Sequence, residues 1–240
     1  MISGVIYYII FSLNLLIFSI IFLPLFFLPR SIGLMILRFW ARVSQSILYY
    51  LCEIDFEIYG QEFIPKGKAL IASKHQSTWE TINFLHILDQ PPIMILKKEL
   101  LFIPFFGQYA IKFGNIAINR KAGISAIKDM VRKARKSKDQ NRSILIFPEG
   151  TRSAINSDPE YKRGILALYK DLEIPCVPVA LNSGLFWPKD KLKKQPGKIL
   201  VEFLSPIQPG LSDDDFMRLL QTRIEDATNR LIKSQKEGLF

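Results

Sequence analysis

The chain has 240 residues, of which 49% are hydrophobic, and a formal net charge of +10 at pH 7. This length fits one α/β domain with an appendage, and the basic balance suits nucleic acid, an anionic membrane surface or acidic substrates and carriers. With two cysteines and two histidines, the composition argues against a disulfide framework and against a histidine-rich metal site.

The N-terminal segment is the most apolar part of the chain. No charged side chain occurs in residues 1–29, and Ile2 to Leu23 would form a helix about 33 Å long, enough to cross a bilayer core. The stretch lacks the basic start and the small-residue cleavage site of a signal peptide. It therefore predicts a membrane-attached helix, with a buried hairpin of a soluble protein as the alternative.

A second helical stretch, Ser31 to Leu51, is also rich in large apolar residues but contains Arg38 and Arg42. We expect residues 1–52 to form a two-helix membrane anchor that either spans the bilayer as a hairpin or lies in the interface. Arg30 and the two helical arginines follow the apolar run, so they predict a location on the cytoplasmic face of the inner membrane.

Residues 53–240 alternate short apolar runs with turns and helical stretches. Strands are predicted at residues 54–59, 69–73, 93–96, 114–119, 143–147, 174–181 and 199–204, and helices at 81–88, 125–138 and 213–233. Ser212 and the acids that follow it are typical of the start of the last helix. This alternation predicts an α/β domain with a mostly parallel or mixed sheet covered by helices.

His75 and Glu80 stand at the junction between a predicted strand and a helix, where exposed side chains of α/β sheets commonly carry out chemistry. An acid five residues after the histidine can fold back onto the imidazole and fix its tautomer. The two residues would then act as the base and the orienting acid of a Ser-His-Asp triad, with a substrate hydroxyl in place of the serine. The alternative is structural, because Ser77 to Glu80 also fits a helix capping box.

Charged residues follow three other predicted strands. Lys97 and Lys98 come after one, Arg120 after another, and the segment Phe147 to Ser153 after a third. Within that segment, Glu149, Gly150, Thr151 and Arg152 form a tight turn that offers backbone N–H groups, a hydroxyl and a guanidinium. Such a combination is suited to binding phosphate.

The helix predicted at residues 125–138 is strongly basic but has no aromatic residue. Nucleic-acid binding would call for stacking or base-reading side chains, which this helix lacks. A solvated helix face is the simplest interpretation of the charge. Next to a membrane anchor, anionic membrane lipids or an acidic carrier protein are better partners than DNA or RNA.

Four blocks of the chain resemble the glycerolipid acyltransferase family that includes the 1-acyl-glycerol-3-phosphate acyltransferases. The blocks are His75 to Glu80, Gly114 to Arg120, Phe147 to Ser153 and Val177 to Leu181. The third block, Phe-Pro-Glu-Gly-Thr-Arg-Ser, matches the family pattern in full. The resemblance runs from about Leu70 to Ser183, and it departs from the family in having Glu80 where most members have aspartate.

The resemblance implies an enzyme that moves a fatty acyl chain from an acyl thioester to the 2-hydroxyl of 1-acyl-sn-glycerol-3-phosphate (lysophosphatidic acid), forming phosphatidic acid. His75 and Glu80 would be catalytic, and the donor would be acyl-carrier protein or acyl-CoA. Lys97, Lys98, Arg120 and the turn Glu149 to Arg152 would bind substrate, and no metal or redox cofactor is implied. Another lyso-lipid acceptor and a non-catalytic lipid-binding protein remain as alternatives.

Overall fold

The computed structural model describes residues 2–137, 141–189 and 192–238. The helices and strands of this part follow in the order α1 (Ile2–Ile21), α2 (Arg30–Cys52), β1 (Ile54–Tyr59), β2 (Leu70–Ser73), α3 (Trp79–Ile87), β3 (Ile93–Lys97), α4 (Phe106–Lys112), β4 (Ile116–Ile118), α5 (Ile124–Lys136), β5 (Ile144–Ile146), α6 (Gly164–Leu172), β6 (Cys176–Leu181), β7 (Gly197–Phe203) and α7 (Asp213–Lys236).

The strands form one mixed sheet in the order β1-β7-β6-β2-β5-β3-β4, which confirms the predicted α/β class. Strands β6 and β7 pair antiparallel, and the other neighbouring strands pair parallel. Because β2, β5, β3 and β4 run in the same direction, their carboxyl ends share one edge of the sheet. His75, Lys97, Arg120 and the segment Phe147–Ser153 lie at or just beyond those ends. The fold therefore gathers the first three sequence blocks and Lys97 at one edge of the sheet.

The three helices predicted in the domain are present as α3, α5 and α7, and the Ser212 side chain caps α7 by accepting the N–H of Asp215. Lys138, the predicted end of α5, lies outside the described residues. Helices α4 and α6 were missed because they contain only 7 and 9 residues and begin after Phe105 and Arg163, which are not capping residue types, whereas the equally short α3 begins after Thr78.

Two apolar clusters hold the helices against the two faces of the sheet. Ile71 packs into one cluster with Phe84 of α3, and Leu70 packs into the other with Leu168 of α6 and Phe216 of α7. Neighbouring residues of a strand point to opposite faces, so this short buried strand serves both clusters. The strand that leads into His75 is thereby fixed from both sides.

Both predicted N-terminal helices are present, but among the described residues α2 does not qualify as a second membrane-spanning helix, and its attachment at the interface stays a prediction. Among the described residues, Gly4–Ile21 of α1 is the one stretch that is apolar and long enough to cross a membrane. Helix α2 carries arginines and packs a buried face on β1 and α3. Its Gln45 donates to the Ile54 carbonyl at 3.0 Å and accepts from Trp79 Nε1 at 2.9 Å. Helix α2 is therefore part of the packing of the domain, and the boundary at residue 52 stays a prediction.

Helix α1 contacts the rest of the protein near both of its ends. Near the start, Trp187 Nε1 donates to the Tyr8 hydroxyl at 3.2 Å, and Lys194 Nζ lies 3.8 Å from the centroid of the Tyr8 ring. Near the end, the hydroxyl of Tyr109 in α4 donates to the Ser19 carbonyl at 3.1 Å. The helix therefore lies against the domain instead of projecting from it.

Candidate active site

The backbone of His75 is held by the segment that follows β5. The carboxylate of Glu149 accepts the His75 N–H at 2.9 Å, and the His75 carbonyl accepts the Ser153 N–H at 2.8 Å. The Phe147 ring stacks on the imidazole with centroids 4.0 Å apart and planes 16° from parallel. The first and third sequence blocks thus form one site, although His75 and Glu149 are 74 positions apart in the chain.

Glu80 binds the imidazole directly. Its Oε1 lies 3.0 Å from His75 Nδ1, which leaves Nε2 as the ring nitrogen not bonded to Glu80. The side chain of His75 is 15% exposed and that of Glu80 is fully buried. A carboxylate bonded to Nδ1 fixes the imidazole orientation and favours Nε2 as the atom that exchanges a proton with a substrate.

The carboxylate of Glu80 is also saturated by local donors. Oε1 accepts the backbone N–H groups of Gln76 at 2.6 Å and Ser77 at 2.8 Å, while Oε2 accepts the hydroxyls of Ser77 at 2.9 Å and Ser183 at 3.0 Å. Burial alone would raise the pKa of Glu80, but its hydrogen bond to His75, the charge of that ring and the backbone donors keep the pKa below the ordinary value. Glu80 therefore caps the start of α3 and orients the His75 imidazole at the same time.

Ser183 was not found by sequence reasoning. It follows β6 and lies 103 residues from Glu80 in the chain, so no local pattern connects the two. The neighbouring Gly184 N–H donates to Gln76 Oε1 at 3.0 Å. The segment after β6 therefore closes the site from the side opposite to β5.

His75 lies at the wall of a cavity of about 760 Å³ between the sheet and the N-terminal helices. Most of the wall is apolar and is built by α1, α2, α3, α4 and β3, with the side chains of Phe11, Leu15, Phe18, Trp40, Leu85, Met94, Phe106 and Phe113. The cationic residues that line it are Lys97, Arg120, Arg152 and Lys189. The wall of the cavity is thus mainly apolar, with His75 and four cationic side chains exposed on it.

Most of the predicted substrate-binding residues line this cavity. Lys97, Arg120, Gly150, Thr151 and Arg152 are all in its wall. Arg120 donates to the Gly150 carbonyl, and Arg152 Nη1 donates to the Thr78 hydroxyl at 3.3 Å. These two bonds place both guanidinium groups around the turn that follows β5.

Lys98 and Glu149 lie elsewhere. Lys98 is exposed at the start of the 3₁₀ turn Lys98–Phe102, and neither residue is among the described residues that line the cavity. Glu149 is buried behind the backbone of His75, where its position is that of a supporting group. Lys189, which sequence reasoning missed, lines the cavity from an irregular segment that carries no motif.

The arrangement suits proton abstraction from a hydroxyl in the presence of an apolar chain and an anion. An oriented imidazole can take the proton, the apolar wall excludes water from a chain, and arginine forms strong hydrogen bonds to phosphate. The two cysteines are buried away from the cavity.

Comparisons with known proteins agree with this chemistry. A model of the family described as Acyltransferase matches residues 55–182. A protein of Pseudomonas aeruginosa named 1-acyl-sn-glycerol-3-phosphate acyltransferase is 38% identical over 162 residues, which cover 68% of this chain and 63% of that protein. A Mus musculus protein named 1-acyl-sn-glycerol-3-phosphate acyltransferase alpha is 31% identical over 69% of this chain and 60% of its own length. The chain thus spans about three fifths of the length of these relatives.

One solved structure resembles the whole chain. The crystal structure of the 1-acyl-sn-glycerophosphate acyltransferase PlsC from Thermotoga maritima superposes with a TM-score of 0.77 and covers 96% of this chain and 97% of that one. At 19% sequence identity, this similarity shows a shared fold.

Glu80→Gln tests whether the charge of Glu80 matters beyond capping. The amide oxygen can still accept the backbone N–H groups, and the amide NH₂ can donate to the hydroxyls of Ser77 and Ser183, so the fold should be kept. We expect kcat to fall by about 10²–10³-fold, because a neutral amide no longer stabilises an imidazolium. Turnover and melting temperature are measured together, with the exposed Glu62→Gln as the matched control. A lower melting temperature at unchanged kcat would leave Glu80 with a capping role alone.

Proposed function

The chain belongs to the acyltransferase family, and from this premise we propose that it transfers a fatty acyl chain from an acyl thioester to the 2-hydroxyl of 1-acyl-sn-glycerol-3-phosphate. The product would be phosphatidic acid, a precursor in phospholipid synthesis. The observation that carries the proposal is the His75–Glu80 pair in the wall of an apolar cavity with cationic side chains. The names of the related proteins support the choice of acceptor.

In this mechanism His75 Nε2 takes the proton of the acceptor hydroxyl as the oxygen attacks the thioester carbonyl. The negative charge of Glu80 stabilises the imidazolium that forms. The tetrahedral intermediate then collapses, the carbon–sulfur bond breaks, and the proton passes from His75 to the leaving thiolate. Both reactants occupy the site together, so the transfer requires no acyl-enzyme.

The cationic residues of the cavity supply the site for the acceptor phosphate. Arg120, Arg152 and Lys97 line the same cavity as the imidazole. Arginine binds phosphate through two parallel hydrogen bonds, which fixes the orientation of the bound group as well as its position. We assign Arg120 and Arg152 to the phosphate and the apolar walls to the acyl chains.

The donor carrier is acyl-carrier protein or coenzyme A, both of which are acidic. The basic helix α5 begins four residues after Arg120, and Lys128 and Arg132 are exposed on it. Positive charge at this position favours the approach of either carrier.

We also place the protein on the cytoplasmic face of the inner membrane, with α1 lying in the interface. A helix of 20 residues is about 30 Å long, and this one contacts the domain near both ends, through Tyr8 and Ser19. A bilayer-spanning helix would carry one of those ends away from the domain. An orientation along the membrane surface keeps both contacts and lets the exposed apolar face of α1 enter the lipid.

Helix α4 and the turn before it extend the same apolar surface. Phe102 is 78% exposed, Ile111 is 63% exposed, and Phe27 between α1 and α2 is 92% exposed. Lys112 at the end of α4 donates to the carbonyls of Phe26 at 3.1 Å and Leu28 at 2.9 Å, which joins the two regions. Exposed apolar residues of this number and size are typical of a lipid-facing surface.

The catalytic proposal is tested with a labelled acyl thioester and a panel of lyso-lipid acceptors. We expect transfer to lysophosphatidic acid and a loss of about 10²–10⁴-fold in His75→Ala, because a positioned general base contributes that much to the rate. His86→Ala is the matched control, since His86 is the other histidine and bonds to Asn83 within α3. Preference for another acceptor would reassign the substrate, and a fully active His75→Ala would remove the assignment of the base.

Arg120→Ala and Arg152→Ala should weaken the use of the phosphate-bearing acceptor. A charge-assisted hydrogen bond contributes about 1.5–3 kcal/mol, so kcat/KM for lysophosphatidic acid should fall by roughly 10- to 100-fold. A neutral monoacylglycerol should be affected much less because it has no phosphate. Arg218→Ala, an exposed arginine on α7 that pairs with Asp215, serves as the control. Equal losses on both acceptors would assign these arginines to the fold or to the donor.

The orientation of α1 is tested with spin labels on cysteines introduced at Ile9 or Ile20, both on the exposed side of the helix. The native Cys52 and Cys176 are buried, so labelling is confined to the introduced residue. The two positions lie about 16 Å apart along the helix. We expect the same immersion depth at both from collision with oxygen and a water-soluble nickel complex. A depth difference above about 10 Å would show a spanning helix.

A further inference from the structure

A buried lysine directly precedes the proposed base. The side chain of Lys74 is 2% exposed, and Lys74 is not among the residues that line the cavity. Its Nζ lies 2.8 and 2.7 Å from the two carboxylate oxygens of Glu225 in α7, and 3.6 Å from Glu149 Oε1. The Tyr161 hydroxyl donates to Glu225 Oε1 at 2.9 Å. The Lys74 ammonium therefore links Glu225 of α7 to Glu149 in the segment after β5.

Glu149 connects this ammonium to the active site. The carboxylate oxygen nearest to Lys74 is the one that accepts the backbone N–H of His75. Burial raises the pKa of Glu149, and the charge of Glu225 raises it further. The charge of Lys74 is the largest opposing influence, followed by hydrogen bonds from Ser153 and from the His75 backbone. Together these influences leave the pKa of Glu149 above its ordinary value, and Lys74 is the strongest influence that favours the ionised form.

We propose that Lys74 is a positioning residue for acyl transfer: it keeps Glu149 ionised, and Glu149 then fixes the backbone and the imidazole of His75. The proposal rests on the proposed function, in which His75 is the general base. An ionised carboxylate forms a shorter and stronger hydrogen bond with an N–H group than a neutral carboxyl does. Glu225 of α7 binds the ammonium and Tyr161 donates a hydrogen bond to Glu225, so helix α7 contributes to the geometry of the site.

A purely structural ion pair makes a different prediction. If Lys74 only balanced the charge of Glu225, its loss would act through the unpaired Glu225 carboxylate, and removing both residues would return the pH profile to that of wild type. If Lys74 keeps Glu149 ionised, its loss lets Glu149 take up a proton at a higher pH than in the wild type. Activity then falls most in acidic solution and recovers as the pH rises through the new titration of Glu149.

The experiment compares the pH profile of kcat/KM for lysophosphatidic acid in wild type and Lys74→Met. We expect the acidic limb of the variant to move to higher pH, with kcat/KM about tenfold below wild type at pH 6 and approaching wild type at pH 9. The KM for the acceptor should change little, because Lys74 does not line the cavity. Lys198→Met, which removes an exposed ion pair with Glu57, is the matched control.

The double variant Lys74→Met/Glu225→Met removes the buried pair as a unit. Replacing both members of a buried ion pair by apolar side chains is commonly neutral for stability. We therefore expect a melting temperature near that of wild type and an acidic limb that is still displaced, but by less than in Lys74→Met, because Glu149 loses both its counter-charge and the smaller repulsion from Glu225. This variant also gives the decisive profile if Lys74→Met alone does not fold.

A profile of the double variant that coincides with wild type would overturn the role of Lys74. The outcome is separate from the test of the reaction itself, because wild type and His75→Ala are assayed alongside. If wild type transfers no acyl chain, or if His75→Ala remains active, the proposed function fails. If wild type is active and His75→Ala is inactive, but the acidic limb of the pH profile stays in place in the double variant, only the inference about Lys74 fails.

Discussion

The buried carboxylate of Glu80 is the interaction on which the site depends. It accepts hydrogen bonds from the His75 ring, from two backbone N–H groups of the turn and from the hydroxyls of Ser77 and Ser183. An ionised carboxylate is stable without solvent only when its oxygens are satisfied in this way. Glu80 therefore joins the start of α3, the imidazole and the segment after β6.

The geometry of the site also depends on the parallel pairing of β2 and β5. This pairing brings the segment Phe147–Ser153 beside His75, so that Glu149 and Ser153 bind the histidine backbone while Arg152 faces the cavity. One seven-residue motif thus has two functions. Its buried side supports the proposed base, and its exposed side contributes charge to the proposed phosphate site.

The sequence predicted the strands, three of the domain helices and the pairing of His75 with Glu80, because each depends on local pattern. Helices α4 and α6 are short and begin after Phe105 and Arg163, which are not capping residue types, and Ser183 meets Glu80 only through the sheet. A second spanning helix was expected at α2 because apolar content alone does not distinguish a membrane span from a helix that packs on α3. The position of Glu149 also needed the structure, since the motif does not show which of its side chains turn inward.

The contact between Tyr8 and Trp187 joins residues 179 positions apart. Helix α1 is synthesised long before the loop that carries Trp187, so this contact forms only after nearly four fifths of the chain have been made. Contacts between α1 and α2 can form earlier, because the two helices follow each other in the chain. Side chains of α1 line the cavity, so this part of the cavity wall reaches its final position only when α1 docks on the late segment.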